Sequence, residues 1–475
     1  MDATTRRQAS HILNWTLDYL ENNDAYPVFP ADIEPGDIAD ALEPSPPVSG
    51  TSLETCFNEF LQAILTGVTH WNHPGFFAYF NSSATVPAVM AELLSAAINT
   101  NCMVWKASPA GTEVEQTTLS WLQQICGLSG FTGITFDGGA SSSFHALAAM
   151  REKVMGPAYR KAGLMGAGDF KPRVYITEQT HNSIHKALIT LGFGTDSIRR
   201  VDVTGDFAMD CGHLEQLIAQ DRSEGNTPVC VVGTLGTTSC TALDPVQRIA
   251  EICKQERLWF HVDAAHGGGA AVLDTVREQF KGWEKADSIL INPHKWMFIP
   301  IDLSVLFIRE PGLLKNAFHY AAEYLKTPQD GIIDNFMDYG IPLGRRFRCL
   351  KLWFSLTYHG VDYFREKISR HMELSDRVYA YIASHKDFEI MAPKPLSTTC
   401  FRAVPGKPGC DMDAFNEALM DAVNRTGRYF ISHTRLKGEF VLRHVVSGVK
   451  TTAGHIEGFL QTLGTLKSDL EQNWK

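Results

Sequence analysis

Residues 258–268 read Leu258-Trp259-Phe260-His261-Val262-Asp263-Ala264-Ala265-His266-Gly267-Gly268, and residues 289–296 read Ile289-Leu290-Ile291-Asn292-Pro293-His294-Lys295-Trp296. Each opens on a short apolar run and passes through a polar residue into a turn. The same pattern recurs at Val174-Tyr175-Ile176, from Val229 to Leu235 and from Val305 to Ile308. Apolar runs this short, rich in β-branched and aromatic residues, read as strands. Helical stretches lie between them, one predicted to start at Asp244-Pro245 with the aspartate as N-cap and the proline at the first helical position. Strands alternating with helices over about residues 86–310 predict a mainly parallel α/β sheet. Ligands of such sheets sit beyond the carboxyl ends of the strands, so the residues just after each run are the candidates for function.

Outward from this region, Leu13, Leu17 and Leu20 have helical spacing, so the chain opens on an amphipathic helix. A proline-rich link from Pro27 to Pro47 cannot be regular helix. Helical patterning returns from about Leu53 to Thr69. From about residue 350 the pattern is helical (Trp353, Leu356, Phe364, Ile368, Met372), then strand-like at Phe440-Val441-Leu442 and Val445-Val446. The expected division is a helical N-terminal segment over 1–85, a large α/β domain over 86–350 and a smaller α+β domain over 351–475.

With 475 residues, 44% of them hydrophobic, the chain can bury a sizeable core without disulfide or metal staples. The balance of 43 basic against 53 acidic residues argues against a nucleic-acid binder and against attraction to anionic membranes. Ten cysteines include no C-x-x-C pair and several sit in apolar runs, as expected of reduced thiols in a cytoplasmic protein. The N-terminus lacks the apolar core of a signal peptide. The most apolar run, Trp296 to Ile308, is too short to span a bilayer. No metal site is expected.

Four local patterns carry chemistry. Lys295 follows a strand and stands beside Trp296, Met297, Phe298 and Ile299. Desolvation there favours the neutral amine, the form that makes a Schiff base; the alternative is a stem packed on Trp296 with its ammonium in water. Asp263 ends a strand and small residues follow, so it could hold a pyridinium nitrogen protonated or simply cap a turn. The run Asp137-Gly138-Gly139-Ala140-Ser141-Ser142-Ser143 enters a helix-forming stretch, a phosphate seat or an ordinary polar cap. His181, in Thr180-His181-Asn182-Ser183, could stack on a ring or serve only as a structural hydrogen-bonder. One ligand needs all four in this order: a phosphorylated pyridine aldehyde, pyridoxal 5′-phosphate.

The chain resembles the group II pyridoxal-phosphate decarboxylases, particularly the aromatic L-amino-acid decarboxylase branch. The resemblance runs through nearly the whole chain. It is carried by His70-Trp71-Asn72-His73-Pro74 with Phe76-Phe77-Ala78-Tyr79-Phe80, by Ala107-Ser108-Pro109-Ala110 with Thr112-Glu113, and by Thr234-Leu235-Gly236-Thr237-Thr238-Ser239. Val262-Asp263-Ala264-Ala265, Asn292-Pro293-His294-Lys295-Trp296 and Ile341-Pro342-Leu343-Gly344-Arg345-Arg346-Phe347-Arg348 complete it; the last two are the most specific.

The resemblance implies a fold-type-I homodimer with a mainly parallel seven-stranded sheet, active sites at the dimer interface and an N-terminal segment lying across the partner. It makes Lys295 the Schiff-base lysine, Asp263 the pyridinium partner and His181 the residue that stacks on the ring and meets the substrate. Ala140 and Ser141 match the phosphate turn, and Thr234, Asn292 and His294 further cofactor contacts. Ser82 falls where the family commonly has a threonine facing the substrate ring. The aromatic-rich segments holding Trp71, Phe76, Phe77, Tyr79, Phe80, Met103 and Trp105 could line a flat apolar pocket for the substrate or in part be core, and Gly344 leaves space for an indole or a phenol. Tyr324 lies in the segment from Ala322 to Ile333, whose proline, glycine and polar residues suggest a mobile loop; similar enzymes carry a catalytic tyrosine there.

The implied reaction is decarboxylation of an aromatic L-amino acid (tryptophan, DOPA, tyrosine or phenylalanine) to its amine. Three departures bear on the substrate: Asn81-Ser82 replaces the more usual proline–threonine, His266 stands where tyrosine is common, and Gly139-Ala140-Ser141 matches the phosphate turn loosely. The alternatives are a decarboxylase of a non-aromatic amino acid, an aromatic aldehyde synthase and a non-catalytic cofactor-binding protein. In similar plant enzymes aldehyde synthesis goes with phenylalanine at the Tyr324 position, and in similar insect enzymes with asparagine at the His181 position. Tyr324 and His181 favour simple decarboxylation.

Overall fold

The computed structural model describes residues 1–156, 159–163, 168–320, 333–407 and 409–474. The alternating region forms seven strands: β1 (Thr132–Phe136), β2 (Pro172–Thr177), β3 (Ile198–Val201), β4 (Thr227–Thr234), β5 (Trp259–Asp263), β6 (Ser288–Ile291) and β7 (Ser304–Ile308). Their order across the sheet is β1-β7-β6-β5-β4-β2-β3. The pairs β5/β6, β4/β5, β2/β4 and β2/β3 are parallel, whereas β7 is antiparallel to both β6 and β1. Being antiparallel to the same strand, β1 and β6 point the same way. The carboxyl ends of β1, β2, β4, β5 and β6 therefore share one edge.

Burial on both faces explains why these strands read as continuous apolar runs rather than alternating ones. Val174, Ile176, Cys230, Val232 and Leu306 pack in one core with Ala146–Met150 of the helix Gly139–Met155.

The mainly parallel sheet expected from the sequence is borne out, and five of its strands are those read from the apolar runs. The helix after Asp244 departs from its expected start. It spans Val246–Glu256 with Pro245 as N-cap. The Asp244 carboxylate instead accepts the N–H groups of Thr234 and Met209, both at 2.7 Å. Burial pushes this carboxyl up to about 6.

The chain divides into two compact units. One comprises residues 87–372 and 392–398 and contains the seven-stranded sheet; the other comprises 1–86, 373–391 and 399–475. In the latter, the helix Ala3–Glu21 is capped by the Asp2 carboxylate, which accepts the Thr5 N–H, and its Trp15 ring meets Phe57 and Phe60 edge-on. Four further strands, β8 (Phe388–Ile390), β9 (Thr398–Ala403), β10 (Ser432–Leu436) and β11 (Glu439–Val445), form a sheet in the order β10-β11-β9-β8. Phe401, Leu442, Phe415 and Phe459 knit this sheet to the helices Met412–Arg425 and Ala453–Asn473. Among the described residues, no helix is long and apolar enough to cross a membrane.

Candidate active site

With β3, which runs parallel to β2, six strands end at the shared edge of the large sheet, and the ends of β1, β2, β4, β5 and β6 carry candidates read from the sequence. After β1, Gly138 is the N-cap of the helix Gly139–Met155, and no side chain caps that N-terminus. A Cβ at Gly138 would meet nothing within 4 Å, so this backbone faces open space. Ala140 and Ser141 lie in the first turn, where N–H groups have no intrahelical acceptor and the helix dipole favours an anion. Gly139 is required by a close approach: a Cβ there would stand 2.9 Å from Nδ2 of Asn292.

The phosphate-seat candidate and the lysine segment are thereby joined. The Ser304 hydroxyl donates to Oδ1 of Asn292 at 2.7 Å, leaving its oxygen to accept from the Ser142 hydroxyl, also at 2.7 Å. The turn after β6 is closed by the Lys295 N–H donating to the Asn292 carbonyl at 2.9 Å. The Leu303 N–H donates to Nδ1 of His294 at 3.0 Å. Burial holds His294 down at about 4, so it is neutral at physiological pH. His294 thus fixes the turn that presents Lys295. Burial lowers the Lys295 amine below its ordinary value, and the Asp263 carboxylate opposes that shift. A lysine less basic than usual is the one suited to nucleophilic attack on a carbonyl.

Asp263 is the last residue of β5 and lies in register with Thr234, the last of β4. Its Oδ1 accepts the Ala265 N–H at 3.0 Å, which fixes the carboxylate at the start of the turn. The Thr234 hydroxyl beside it is buried and makes no hydrogen bond among the described residues. Such a group calls for a partner that the described residues do not provide.

His181 follows β2 through a turn closed by the Thr177 N–H donating to the Thr180 hydroxyl at 3.0 Å. The Ser183 N–H and hydroxyl both point at Nδ1 of His181, at 3.2 and 2.8 Å, so the ring proton of the neutral form sits on Nε2. Burial lowers this imidazole, the Asp263 carboxylate raises it, and Lys295 lowers it further. His181, Asp263 and Lys295 thus share one electrostatic environment.

Met103 and Gly344 both adjoin Asn101. The Asn101 amide lies 3.6 Å from the Met103 sulfur, and a Cβ on Gly344 would meet the same nitrogen at 3.6 Å. The segment is anchored by Arg345, which sequence reasoning quoted without a role. Its guanidinium donates to Glu115 at 2.7 Å and to the Thr135 carbonyl and hydroxyl at 3.0 Å. It also lies 4.6 Å from the Phe336 ring centroid.

In the other unit, Trp71 packs on Phe76 and Tyr79, with ring centroids at 4.6 and 5.7 Å. The Arg443 guanidinium lies 5.8 Å from the Phe80 ring. The Ser82 hydroxyl is buried and makes no hydrogen bond among the described residues. Asn81 organises this cluster: its N–H donates to the Ser447 hydroxyl at 3.0 Å, its amide nitrogen to the Trp71 carbonyl, and its amide oxygen accepts from Ser83. Tyr324 lies outside the described residues. His266 stacks on Trp296 with centroids 4.5 Å apart and planes 5° from parallel, so the departure at 266 is accommodated beside the lysine segment.

An uncapped helix N-terminus over open space, an unpartnered threonine hydroxyl beside a strand-end carboxylate and a desolvated lysine together fit a phosphorylated pyridine aldehyde. The comparisons with known proteins agree. The model of the pyridoxal-dependent decarboxylase conserved domain matches residues 35–404. Tryptophan decarboxylase 2 of Oryza sativa subsp. japonica is 34% identical over 472 residues, which cover 96% of this chain and 93% of the relative. Aromatic-L-amino-acid decarboxylase of Sus scrofa is 34% identical over 464 residues, 95% of this chain and 93% of the relative. The crystal structure of Oryza sativa TDC with PLP and tryptamine matches with a TM-score of 0.93 at 29% identity, covering 99% of both chains. Sequence, fold and donor set converge on one assignment: this chain belongs to the pyridoxal-phosphate-dependent decarboxylases, and pyridoxal 5′-phosphate is its cofactor.

Proposed function

We propose that the enzyme removes the α-carboxylate of an aromatic L-amino acid as CO2 and releases the corresponding amine. The observation that carries this reading is the shared environment of Lys295, Asp263 and His181 at the strand ends, next to the uncapped helix at Ala140 and Ser141. The curated relatives that act on tryptophan and other aromatic amino acids support the aromatic side chain.

When bound, the cofactor supplies an aldehyde that captures the amino group and a pyridinium ring that accepts the electron pair left as the Cα–carboxylate bond breaks. The residues of this chain do the rest. The N–H groups of Ala140 and Ser141 would hold the phosphate, and Asn292 and His294 would make further contacts to the cofactor. Asp263 keeps the ring nitrogen protonated, and Thr234 gives its free hydroxyl to the cofactor. His181 stacks on the ring and presents its Nε2 proton to the substrate. Lys295, with its lowered amine, would hold the cofactor through its aldehyde. Tyr324 delivers the proton that replaces CO2 at Cα. Met103, Gly344, Trp71, Phe80 and Ser82 serve the substrate side chain.

The same reading makes the protein a cytoplasmic homodimer whose segment 1–85 lies across the partner, with domains over 86–350 and 351–475. Leu93, Leu94 and Ile98 on the helix Val86–Ile98 are left exposed, as a surface awaiting a second copy would be. All ten cysteines are free, in keeping with a reducing compartment.

The test is product analysis with a panel of L-amino acids. Stoichiometric amine and CO2 from tryptophan, DOPA, tyrosine or phenylalanine is the expected result. Turnover confined to acidic or aliphatic amino acids, or aldehyde with ammonia and peroxide as the main products, would overturn it.

A further inference from the structure

His145 lies one turn into the helix that begins at the phosphate seat, and the reaction as described makes no use of it. Its ring is buried against Phe136, with centroids 4.1 Å apart and planes within 21°, and it also meets Phe318 at 4.9 Å. Nδ1 lies 2.7 Å from the Ser141 carbonyl, an acceptor only, so Nδ1 carries the proton. That leaves Nε2 as an acceptor, and it receives the Ile341 N–H at 3.3 Å.

Ile341 opens the octapeptide that contains Gly344. The approach is close enough to dictate the preceding residue: a Cβ at Gly340 would stand 2.8 Å from Nε2 of His145 and 3.1 Å from the Phe136 ring. A cavity of about 80 Å³ lies here, with Ser141, His145, Gly340, Pro342, Gly344 and Arg345 among its walls. One histidine therefore touches both the segment read as the cofactor seat and the segment read as the substrate wall.

We infer that His145 is a positioning residue for substrate binding: clamped on the cofactor helix through Ser141 and Phe136, it holds the Ile341–Gly344 segment at a fixed distance from the phosphate seat. The inference rests on the reading of Gly344 as substrate-facing. The Ser141 bond needs only the Nδ1 proton, whereas the Ile341 bond needs Nε2 unprotonated; burial pushes His145 down to about 4, so the bridge is intact at physiological pH. Ser141 loses little without the imidazole, because its carbonyl lies in a helical turn that already uses it. Ile341 loses the acceptor that His145 gives its N–H. The effect should therefore fall on substrate affinity and not on the cofactor.

Three substitutions separate the two bonds. His145→Leu removes both. His145→Asn places an amide where Nδ1 was, keeping the clamp on Ser141 and losing the acceptor for Ile341. His145→Gln reaches to the Nε2 position, and its amide oxygen can accept from Ile341. KM and kcat are measured for L-tryptophan and L-tyrosine, cofactor affinity by absorbance titration, and thermal midpoint alongside.

The expected result is a KM raised about tenfold in His145→Leu and His145→Asn, the scale of one hydrogen bond. In both, kcat should stay within about threefold and cofactor affinity within about twofold, magnitudes below one hydrogen bond. His145→Gln should recover most of the lost affinity. Should His145→Leu fail to fold, the two amides still decide the matter, since they differ by one methylene. Equal KM in His145→Asn and His145→Gln would overturn the inference, as would a loss of cofactor affinity parallel to KM. Gly344→Ala is the companion variant. If it changes KM while the His145 variants do not, this inference alone fails. If neither residue affects KM, the reading of Gly344 as substrate-facing fails with it.

Discussion

Replacing Arg345 by methionine tests how the segment containing Gly344 is held. The guanidinium is 7% exposed and its partner Glu115 only 2%, so the pair is desolvated on both sides. Glu115 does a second job, accepting the Thr135 N–H at 2.9 Å. Removing the arginine leaves a buried carboxylate whose remaining hydrogen bond comes from a neutral amide. Stranding one member of a buried ion pair costs about 3–5 kcal/mol. Replacing Glu115 by glutamine in the same chain removes the stranded charge while leaving an amide oxygen for Thr135. The double variant then loses only the guanidinium's bonds to neutral acceptors, about 1–3 kcal/mol in all. The expected order of stability is wild type, then Arg345→Met/Glu115→Gln, then Arg345→Met, so the second substitution rescues the first. Urea unfolding followed by tryptophan fluorescence gives the order directly. A double variant less stable than the single one would refute the argument that an unpaired buried charge dominates the loss.

Two further outcomes are expected. Tyr324→Phe should leave cofactor binding intact and lower amine formation by about 10²–10⁴-fold, the usual contribution of a general acid; an unchanged amine yield and rate would remove Tyr324 from the reaction. His444 is buried between Phe77 and Phe459, at 4.2 and 4.4 Å, and burial pushes it down to about 3. The unfolded chain protonates this ring below its ordinary 6.5 while the folded chain does not, so stability falls with pH through the window from 6.5 to about 3. The stability advantage of His444→Phe over wild type should therefore grow by about 2 kcal/mol between pH 7 and pH 5. A pH-independent difference between the two proteins would contradict the burial of a neutral ring.

The sequence disclosed what local chemistry dictates. Strands buried on both faces announce themselves as apolar runs, and the residues that follow them are where an α/β sheet does its work, so Asp263, Lys295 and His181 were legible. The edge strand β3, Ile198-Arg199-Arg200-Val201, was not, because two arginines interrupt its pattern; one of them instead pairs with the buried Asp221 at 3.0 Å. β1 was hidden by Gly133 between Thr132 and Ile134. Asp244 carried a cap signal and spends its carboxylate on two strand and loop amides, because the helix begins after Pro245. Pairings across long separations left no local mark. Arg345 and Glu115 lie 230 residues apart, and His145 and Ile341 lie 196 apart. The glycine at 340 was the one trace of the latter, and it could not be read without the ring it makes room for.

The central claim is that Lys295 carries the cofactor in the resting enzyme. Borohydride reduction of the purified holoenzyme, followed by proteolysis and mass spectrometry, tests it without reference to substrate. The reduced pyridoxyl group should appear on the peptide containing Asn292-Pro293-His294-Lys295-Trp296, and Lys295→Ala should abolish the label. A label on any other lysine, or one that survives Lys295→Ala undiminished, would contradict the account.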